Sequence, residues 1–210
     1  MSRYPVEVEA AGKLAMFARP DTGITPTSYP APPWAACKGL FEAIAMLGRG
    51  NAWIRPTKVE ICKPRGAPGG SVRFQRYATN YGGPLRKAVL VKQGAGMQMF
   101  ATVLADVCYR IHGEVEGDRP KDGVNPRHHL ADLFRRRLRQ GRCFRVPSLG
   151  WSEFTCSYWG PFREAFEVDV DLDLTIPSML ETCWSAPFGG RYEPRYRHDA
   201  RIERGVLSFA

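Results

Sequence analysis

Two adjacent histidines, His128 and His129, stand near the start of a stretch that ends in a block of arginines, residues 125–141. We expect them in the first turn of a helix, where free backbone N–H groups attract anions and the helix dipole disfavours the imidazolium. A neutral imidazole beside a bound phosphate is suited to act as a general base. Neighbouring helical residues point about 100° apart, so at most one of the two faces a given phosphate. The alternative is that both histidines are exposed to solvent without a chemical role.

Arginines dominate the rest of this stretch and continue beyond its end. Cations near a helix C-terminus complement the helix dipole, but this explains only one or two of the six arginines between residues 135 and 145. So many like charges repel one another unless an anion is near, which favours a phosphate-binding face. The predicted RNA-binding residues are Arg127, Arg135, Arg136, Arg139, Arg142 and Arg145, together with Lys63 and Arg65 from a separate loop.

The helix that positions these groups is well defined in the sequence. Asn125 is suited to the N-cap, Pro126 to the first helical position and Gly141 to the position that follows the helix. An apolar stripe at helical spacing is formed by Leu130, Leu133, Phe134 and Leu138. We therefore predict an amphipathic helix over 125–141 whose polar face is basic.

Patterns elsewhere in the chain predict an α+β fold. Another helix is expected after Pro33 and is predicted to end at Gly48 to Gly50, while the proline-rich stretch 19–33 is expected to be irregular. Strands are expected in VEVEAAGKLAMF near the N-terminus and over residues 52–62, 101–115 and 202–209. The resulting β-α-β-β-α-β order is typical of a ferredoxin-like sheet with helices on one face.

Two predicted strands alternate between apolar and polar residues. In the strand 101–115, the residues predicted to share one face are Val103, Val107, Tyr109 and Ile111. Residues 167–174 alternate between acidic and aliphatic side chains and predict a strand with a solvated acidic face. Acids spaced by two along a strand form a row and not a cage, so we predict neither a metal site nor a cofactor.

Two segments are suited to contact a partner. Residues 63–93 begin with a loop rich in Gly and Pro and continue as a predicted basic hairpin that turns at residues 81–84. Such a hairpin has little core of its own, so we expect it to protrude and contact a partner. The segment 187–201 is rich in Arg, Tyr and Pro, and is suited to stack bases and bind a nucleic-acid backbone. A disordered tail is the alternative for this segment.

The composition points to a polyanionic partner. Lys and Arg number 30 against 21 Asp and Glu, which gives a net charge of +9, and the pI is about 9.5; nucleic acid is the partner this favours. No apolar run is long enough to cross a membrane, and the first 17 residues lack the apolar core of a signal peptide. The six cysteines fit no zinc-ligand spacing, so we expect free thiols and a cytoplasmic protein.

Several stretches together resemble one protein family. They are GKLAMFARP, TSYPAPPWAACKGLFEAI, WIRPTKVEICKP, LADVCYRIHGEV and NPRHHLADLFRRRLRQGRCFRVPSLGWSEF. In these stretches the sequence is similar to the CRISPR-associated Cas5 family of the RAMP superfamily, and most similar to its subtype d of type I-C systems. The resemblance spans residues 6–156. Its most specific part is the last stretch, where the arginine-rich helix leads to Pro-x-Leu-Gly and Glu-Phe.

The resemblance implies a fold, a function and partners. It implies a ferredoxin-like RAMP domain over residues 1–156, in which 63–93 is a protruding basic hairpin, and a small C-terminal β region over 157–210. The implied function is that of a guide-RNA-binding subunit of the type I Cascade complex, which caps the 5′ repeat-derived handle of the guide RNA (crRNA). The implied partners are this RNA, the backbone (Cas7) and large subunits, and target DNA through the complex, with no membrane.

Members of subtype d also cut the precursor of the guide RNA without a metal. In that reaction a 2′-hydroxyl attacks the neighbouring phosphate, and a base, an acid and a cation assist. The family supplies these groups from a tyrosine after the first helix and a Lys-His pair at the start of the second. The tyrosine position holds Ala45 here, or Ala52 if the stretches are aligned on Trp53.

The Lys-His pair is also altered. It falls on His129-Leu130 or, with a one-residue gap, on His128-His129, so the lysine is absent, although Arg127 supplies a positive charge nearby. The sequence therefore leaves open whether the catalytic set has been rebuilt or the protein binds the handle and no longer cuts. A stand-alone metal-independent repeat endoribonuclease and a basic structural subunit that contacts mainly protein are also compatible with these residues.

Overall fold

The computed structural model describes residues 4–48, 51–81, 97–119, 123, 125–187 and 189–209. Within them the chain forms two α-helices, one short 3-10 turn and nine strands. The helices are α1 (Trp34–Ile44) and α2 (Pro126–Gln140), and the 3-10 turn is Pro20–Thr22. The strands are β1 (Pro5–Ala15), β2 (Ala52–Pro64), β3 (Phe74–Tyr81), β4 (Met97–Gly117), β5 (Tyr158–Gly160), β6 (Phe166–Val168), β7 (Leu174–Ala186), β8 (Gly189–Glu203) and β9 (Val206–Ser208).

The described strands form one sheet in which all named strands pair antiparallel. Their order is β5-β1-β4-β2-β9-β8-β7, with β3 paired to β4 and β6 paired to β2. β4 is central, since Ile111 lies opposite Val8 on one side and Val59 on the other. The strands that follow residue 156 join the same sheet, because β5 pairs with β1 and β9 with β2. A mostly antiparallel sheet with few helices confirms the predicted α+β class.

The main core lies between this sheet and the two helices. Phe41 of α1 and Phe134 of α2 are fully buried, and their rings meet edge to face with centroids 5.6 Å apart. Burial of such a side chain contributes about 1.5–3 kcal/mol, so packing holds the helices in place. The apolar stripe of α2 is confirmed, since Leu130 is buried and Leu133 and Leu138 pack partly buried against the same cluster. No helix in the described part of the chain is long and apolar enough to cross a membrane.

α1 ends at Ile44, before the predicted end at Gly48. The next residue has extended backbone, and the carbonyls of the last turn are used by another segment. The Ala43 carbonyl accepts hydrogen bonds from the N–H groups of Phe144 (2.9 Å) and Arg145 (2.8 Å). The helix therefore ends early because the chain after α2 satisfies its terminal carbonyls.

The alternation of side chains along β4 is reset at Asp106, whose backbone is left-handed (φ +50°). Val103 packs with Met16 in a second apolar cluster, whereas the adjacent Leu104 joins Val107 in the main core. The prediction that Val103 shares a face with Val107 is therefore wrong. A regular strand keeps the period of two on which that prediction rests, but the strand is irregular between these residues.

Residues 167–174 do not form the continuous strand that their alternation predicts. β6 ends at Val168 and β7 begins at Leu174, with a turn between them. Asp169, expected on a solvated face, is buried and accepts hydrogen bonds from the Ser71 N–H and Oγ, both at 2.8 Å. These contacts with a distant loop turn the carboxylate inwards and break the pattern.

The Arg- and Tyr-rich segment 187–201 forms most of β8, which pairs with β7 as a long hairpin. The disordered-tail alternative is therefore wrong for its described residues. β3 pairs with the first half of β4, from Phe74 opposite Leu104 to Tyr81 opposite Met97. β3 lies within the predicted hairpin 63–93, but its partner β4 begins after that segment. Residues 82–96 lie outside the described residues, so the hairpin stays a prediction.

The Pro-x-Leu-Gly stretch fixes the chain just beyond β1. The Met16 N–H donates to the Leu149 carbonyl (2.9 Å), and the Leu149 N–H donates to the Phe154 carbonyl (2.8 Å). Gly150 has φ +89°, and a β-carbon at this position would lie 1.8 Å from the Met16 carbonyl oxygen. Only glycine combines this backbone conformation with so close an approach.

Candidate nucleic-acid interface

The basic helix α2 begins and ends as its sequence predicts. The Asn125 side-chain oxygen accepts hydrogen bonds from the N–H groups of Arg127 (3.2 Å) and His128 (3.4 Å). Pro126 occupies the first helical position, and Gly141 ends the helix in the left-handed conformation (φ +63°). Local capping therefore fixes which residues lie in the first turn and which lie at the C-terminal end.

A groove of about 1060 Å³ lies between α2 and the sheet. Three of the predicted RNA-binding residues line it from the helix: Arg135, Arg136 and Arg139. The sheet contributes Lys58 and His112, neither of which is predicted from the sequence. The groove thus collects cationic and titratable groups from elements that are far apart in the sequence.

The three groove arginines differ in whether their guanidinium groups already have partners within the chain. Arg135 donates to the Pro5 carbonyl (2.8 Å) and lies 3.8 Å from an Asp132 carboxylate oxygen. Arg136 and Arg139 are exposed and have no ion-pair partner among the described residues. An exposed, uncompensated guanidinium is the group best suited to bind a phosphate.

The other predicted arginines lie outside the groove lining. Arg142 and Arg145 are exposed on the segment after α2. Arg127 is half-buried at the start of the helix, and its Nε is buried without a hydrogen-bond partner in the described part of the chain. Arg137, by contrast, donates from Nη1 to the Ile44 carbonyl (2.8 Å) and so joins the C-terminal ends of the two helices.

Lys63 and Arg65 lie elsewhere. The Lys63 ammonium lies 3.0 Å from an Asp169 carboxylate oxygen and 3.2 Å from one of Asp171. These two partners, Asp169 first, raise the pKa of Lys63. Arg65 is exposed in the loop after β2, where its N–H donates to the Ala165 carbonyl (2.9 Å). The structure does not bring either residue to the α2 groove, and the charge of Lys63 is compensated within the chain.

The two histidines lie at the N-terminal end of α2, as predicted. His128 Nε2 lies 3.0 Å from an Asp132 carboxylate oxygen, and Asp132 in turn lines the groove. The His128 ring meets the Tyr4 ring edge to face, with centroids 5.9 Å apart. His129 is exposed and has no side-chain partner among the residues that the structure describes. His128 is therefore the histidine with a defined environment.

Tyr4 brings an aromatic hydroxyl to the first turn of α2, and sequence reasoning missed it. Its hydroxyl accepts a hydrogen bond from Asn125 Nδ2 (3.1 Å), so the residue that caps α2 also positions this side chain. Ala45 and Ala52, the two candidate tyrosine positions, are both buried. Ala52 pairs with Gly117 in β4, close to where Tyr4 runs beside the same strand. No local pattern links Tyr4 to Asn125, because 121 residues separate them.

His112 forms a second polar cluster in the groove. Its Nε2 lies 3.1 Å from a Glu60 carboxylate oxygen, and its Nδ1 lies 3.6 Å from one of Glu7. Lys58 pairs with the same Glu60 oxygen (2.6 Å). His112, then Lys58, lower the pKa of Glu60 to about 2 against the opposing effect of burial. Within the described residues, no group of three or more His, Cys, Asp or Glu side chains is arranged to hold a metal ion.

The fold and groove define a basic, mostly antiparallel α+β protein with an open groove that is lined by three arginines and a lysine together with the acids Glu7, Glu114 and Asp132. The model of the family described as "CRISPR-associated protein (Cas_Cas5)" matches residues 6–187. The chain belongs to this family, and the matching model is that of its subtype d, Cas5d. The resemblance stated from the sequence stretches is thereby confirmed.

Two curated relatives carry the same subtype. The CRISPR pre-crRNA endoribonuclease Cas5d of Thermus thermophilus is 27% identical over 216 residues, which cover 96% of this chain and 90% of the relative. The protein of the same name from Mannheimia succiniciproducens is 29% identical over 164 residues, covering 70% and 68%. The fold itself is shared with a crystallised CRISPR-associated protein (TM-score 0.69, 16% identity, covering 100% of this chain and 94% of that one). It is also shared with a functionally uncharacterized protein from Streptococcus mutans (TM-score 0.65, 15% identity, 98% and 92%).

Proposed function

We propose that this protein is a guide-RNA-binding subunit of a type I CRISPR Cascade complex, in which it caps the 5′ repeat-derived handle. Membership of the Cas5 family supports this assignment. The observation that carries it in this chain is the row of Arg135, Arg136 and Arg139 along the groove beside α2. Two of these guanidinium groups have no ion-pair partner among the described residues, so an RNA backbone would supply the missing anions.

We further propose that the RNA-binding unit is ferredoxin-like. The strand order β5-β1-β4-β2, with α1 between β1 and β2 and α2 between β4 and β5, supports this arrangement. In it, β3 is an insertion before β4. The sequence predicts that this unit ends at residue 156, but β5 (Tyr158–Gly160) is the fourth strand of the arrangement. We therefore extend the proposed unit to residues 1–160, with 63–93 as its protruding basic hairpin, and assign residues 161–210 to a small C-terminal β region that extends the sheet.

The proposed partners follow from this assignment. They are the guide RNA, the backbone (Cas7) and large subunits of the complex, and target DNA through the complex, all in the cytoplasm. The 63–93 hairpin is assigned to the RNA handle or the adjacent backbone subunit. The exposed side chains of Phe74 and Arg76 at the described base of this hairpin support such a contact.

We also propose that the chain cuts its own precursor RNA, the activity named in both curated relatives. In this reaction the 2′-oxygen bonds to phosphorus as the bond from phosphorus to the 5′-oxygen breaks. The 2′-hydroxyl proton passes to a base, and an acid returns a proton to the leaving 5′-oxygen. The products are a 2′,3′-cyclic phosphate and a free 5′-hydroxyl, and no metal takes part.

The environment of His128 supports this second activity. Asp132, 3.0 Å from Nε2, would stabilise the imidazolium that forms when the ring accepts the proton. The Tyr4 hydroxyl, held by Asn125, is suited to donate to the leaving oxygen, a function that neither Ala45 nor Ala52 can perform. Arg127 supplies a cation in the same turn, and His129 remains the alternative base.

The test is to mix the purified full-length protein with its own repeat RNA in EDTA. We expect binding at nanomolar to micromolar protein, and a product that ends in a 2′,3′-cyclic phosphate. Replacing the ribose next to the cut by deoxyribose should leave binding intact and prevent the product. Binding without any product would limit the protein to handle capping. Absence of binding would contradict the proposal and favour a subunit that contacts mainly protein.

A further inference from the structure

A second pocket, of about 420 Å³, lies where α1 meets the β7–β8 hairpin and the start of β2. Three of the five tryptophans of the chain line it: Trp34, Trp53 and Trp184. The rings of Trp34 and Trp53 meet edge to face with centroids 5.9 Å apart. None of the residues that line this pocket lines the α2 groove, so the two sites are separate.

Trp184 is unusual for so large an apolar side chain, because 50% of it is exposed. Its ring is held in place by Tyr192 on the neighbouring strand, with centroids 6.3 Å apart and the planes nearly perpendicular. Arg195 donates from Nη2 to the Trp184 carbonyl (3.2 Å), which fixes the backbone at the same point. The hairpin therefore presents a flat ring with an open face next to an arginine.

The polar groups of the pocket select among flat ligands. Lys38 and Glu42 form an ion pair in its wall, and Lys38 Nζ lies 5.9 Å from the Trp53 ring centroid. A carboxylate accepts hydrogen bonds from the amino and imino groups at the edge of a nucleobase. Arg195 lies in the lining, where it can meet the phosphate that follows such a base. An aliphatic side chain of a protein partner would remove water from the Lys38–Glu42 ion pair without offering it a further hydrogen bond.

We propose that this pocket binds one unpaired nucleobase of the guide RNA, stacked on Trp184 and with its edge towards Glu42. The inference rests on the proposed function and adds a base-binding site to it. It also gives the Arg- and Tyr-rich β8 a role, because this strand supplies Arg195 and supports the Trp184 ring. Stacking on aromatic side chains is how proteins hold single-stranded nucleic acid with little dependence on sequence.

The experiment measures equilibrium binding of a set of repeat RNAs, each of which carries one abasic ribose at a different position. The full-length protein carries His128→Ala and His129→Ala so that the RNA stays intact. Adding Trp184→Ala should weaken binding of the unmodified RNA by about 5- to 150-fold, the usual range for one stacked base. For one position of the abasic ribose, the protein that retains Trp184 should bind the RNA more weakly by a similar factor. With that RNA, Trp184→Ala should cause no further loss of affinity.

Two control variants separate stacking from folding. Trp184→Phe keeps an aromatic face and should retain most of the affinity. Ile24→Ala removes an apolar side chain that is 77% exposed and lies outside the lining of both pockets, and it should leave affinity unchanged. Both variants, like Trp184→Ala, should match the parent in thermal unfolding.

The two ways in which the inference can fail are distinguishable. If the Trp184→Ala variant binds the unmodified RNA as tightly as the parent, the base-binding site is wrong. The site is also wrong if Trp184→Ala weakens binding by the same factor whichever position of the RNA is abasic. If RNA binding is retained and only assembly with protein subunits is lost, the pocket belongs to a protein contact and the inference is again wrong. In both cases a strong effect of Arg136→Ala and Arg139→Ala would leave the proposed function standing. A parent protein that does not bind repeat RNA at all contradicts both.

Discussion

Removing the uncompensated groove arginines should change the salt dependence of RNA binding by an amount that can be stated in advance. Arg136 and Arg139 are exposed and lack ion-pair partners in the described part of the chain. Each phosphate contact on a single strand contributes about 0.7 to the slope of log K against log salt. The double variant Arg136→Ala/Arg139→Ala should therefore lower the slope by about 1.4. Between about 50 and 200 mM salt, the wild type should lose about 7-fold more affinity than the variant does.

Replacing Arg135 is a less specific test of RNA binding, because its guanidinium also donates a hydrogen bond to the Pro5 carbonyl and so contributes to the fold. Replacing it in addition should weaken binding further and cost some stability, so the triple variant is compared with the double one. The assay is fluorescence anisotropy with labelled repeat RNA at five or more salt concentrations, with unfolding measured in parallel.

A matched control removes one exposed arginine away from the groove. Arg19 pairs with Asp21 at 2.7 Å, so Arg19→Ala changes the net charge without removing an available cation. Its slope should equal that of the wild type. If the groove variant keeps the wild-type slope and a normal fold, the α2 face contacts protein or solvent, and the reasoning from its charges is refuted.

Three further predictions address catalysis, assembly and stability. Changing His128 and His129 to Ala should abolish product formation, while Tyr4→Phe should lower its rate with little change in affinity; a general acid–base group is worth about 10² to 10⁴ in rate, and single-turnover gels measure it. Unchanged cutting in the double histidine variant would rule out this site. Replacing residues 82–93 by a short Gly-Ser linker keeps Ser71 and β3, and should give a folded protein that fails to co-purify with the complex. Normal co-purification would contradict the predicted role of the hairpin. The variant Glu60→Gln should have a lower free energy of unfolding than the wild type at pH 6. This difference should shrink as the pH falls from about 4.5 to about 2, because a carboxyl group whose pKa is lowered by folding stabilises the folded protein only while it is ionised. Urea unfolding at several pH values measures it, and a constant difference would show that the ion pairs with His112 and Lys58 add nothing.

The parts of the molecule that the sequence predicts well are those fixed by local interactions. α2 is predicted in full because Asn125, Pro126 and Gly141 act on neighbouring backbone groups and because its apolar stripe follows the helical period. Residues 167–174 fail for the opposite reason. Their alternation is regular, but Asp169 gains more from its buried contacts with Ser71 than from a place on a solvated strand.

The β7–β8 hairpin shows how proline can hide a strand from sequence reasoning. Pro194 suggests a break in the segment 187–201, yet it falls where the register between the two strands shifts, from Thr182 opposite Arg195 to Trp184 opposite Tyr192. At such an irregularity the missing N–H of proline costs no ladder hydrogen bond. The tryptophan pocket and the contact of Tyr4 with α2 cannot be predicted from local sequence patterns either, because each joins residues more than 100 positions apart.

The packing of Gly150 affects what can be inferred about the activity of related sequences from the Pro-x-Leu-Gly motif. A side chain at this position would overlap the Met16 carbonyl, so a steric requirement of the fold accounts for the glycine, independently of any chemistry on RNA. The same stretch carries the most specific part of the resemblance to the family. A descendant that loses its nuclease will therefore keep this signature for as long as it keeps its fold. Assigning catalytic activity to new sequences on the strength of Pro-x-Leu-Gly would overcount nucleases, and the residues around the first turn of α2 are the ones to inspect instead.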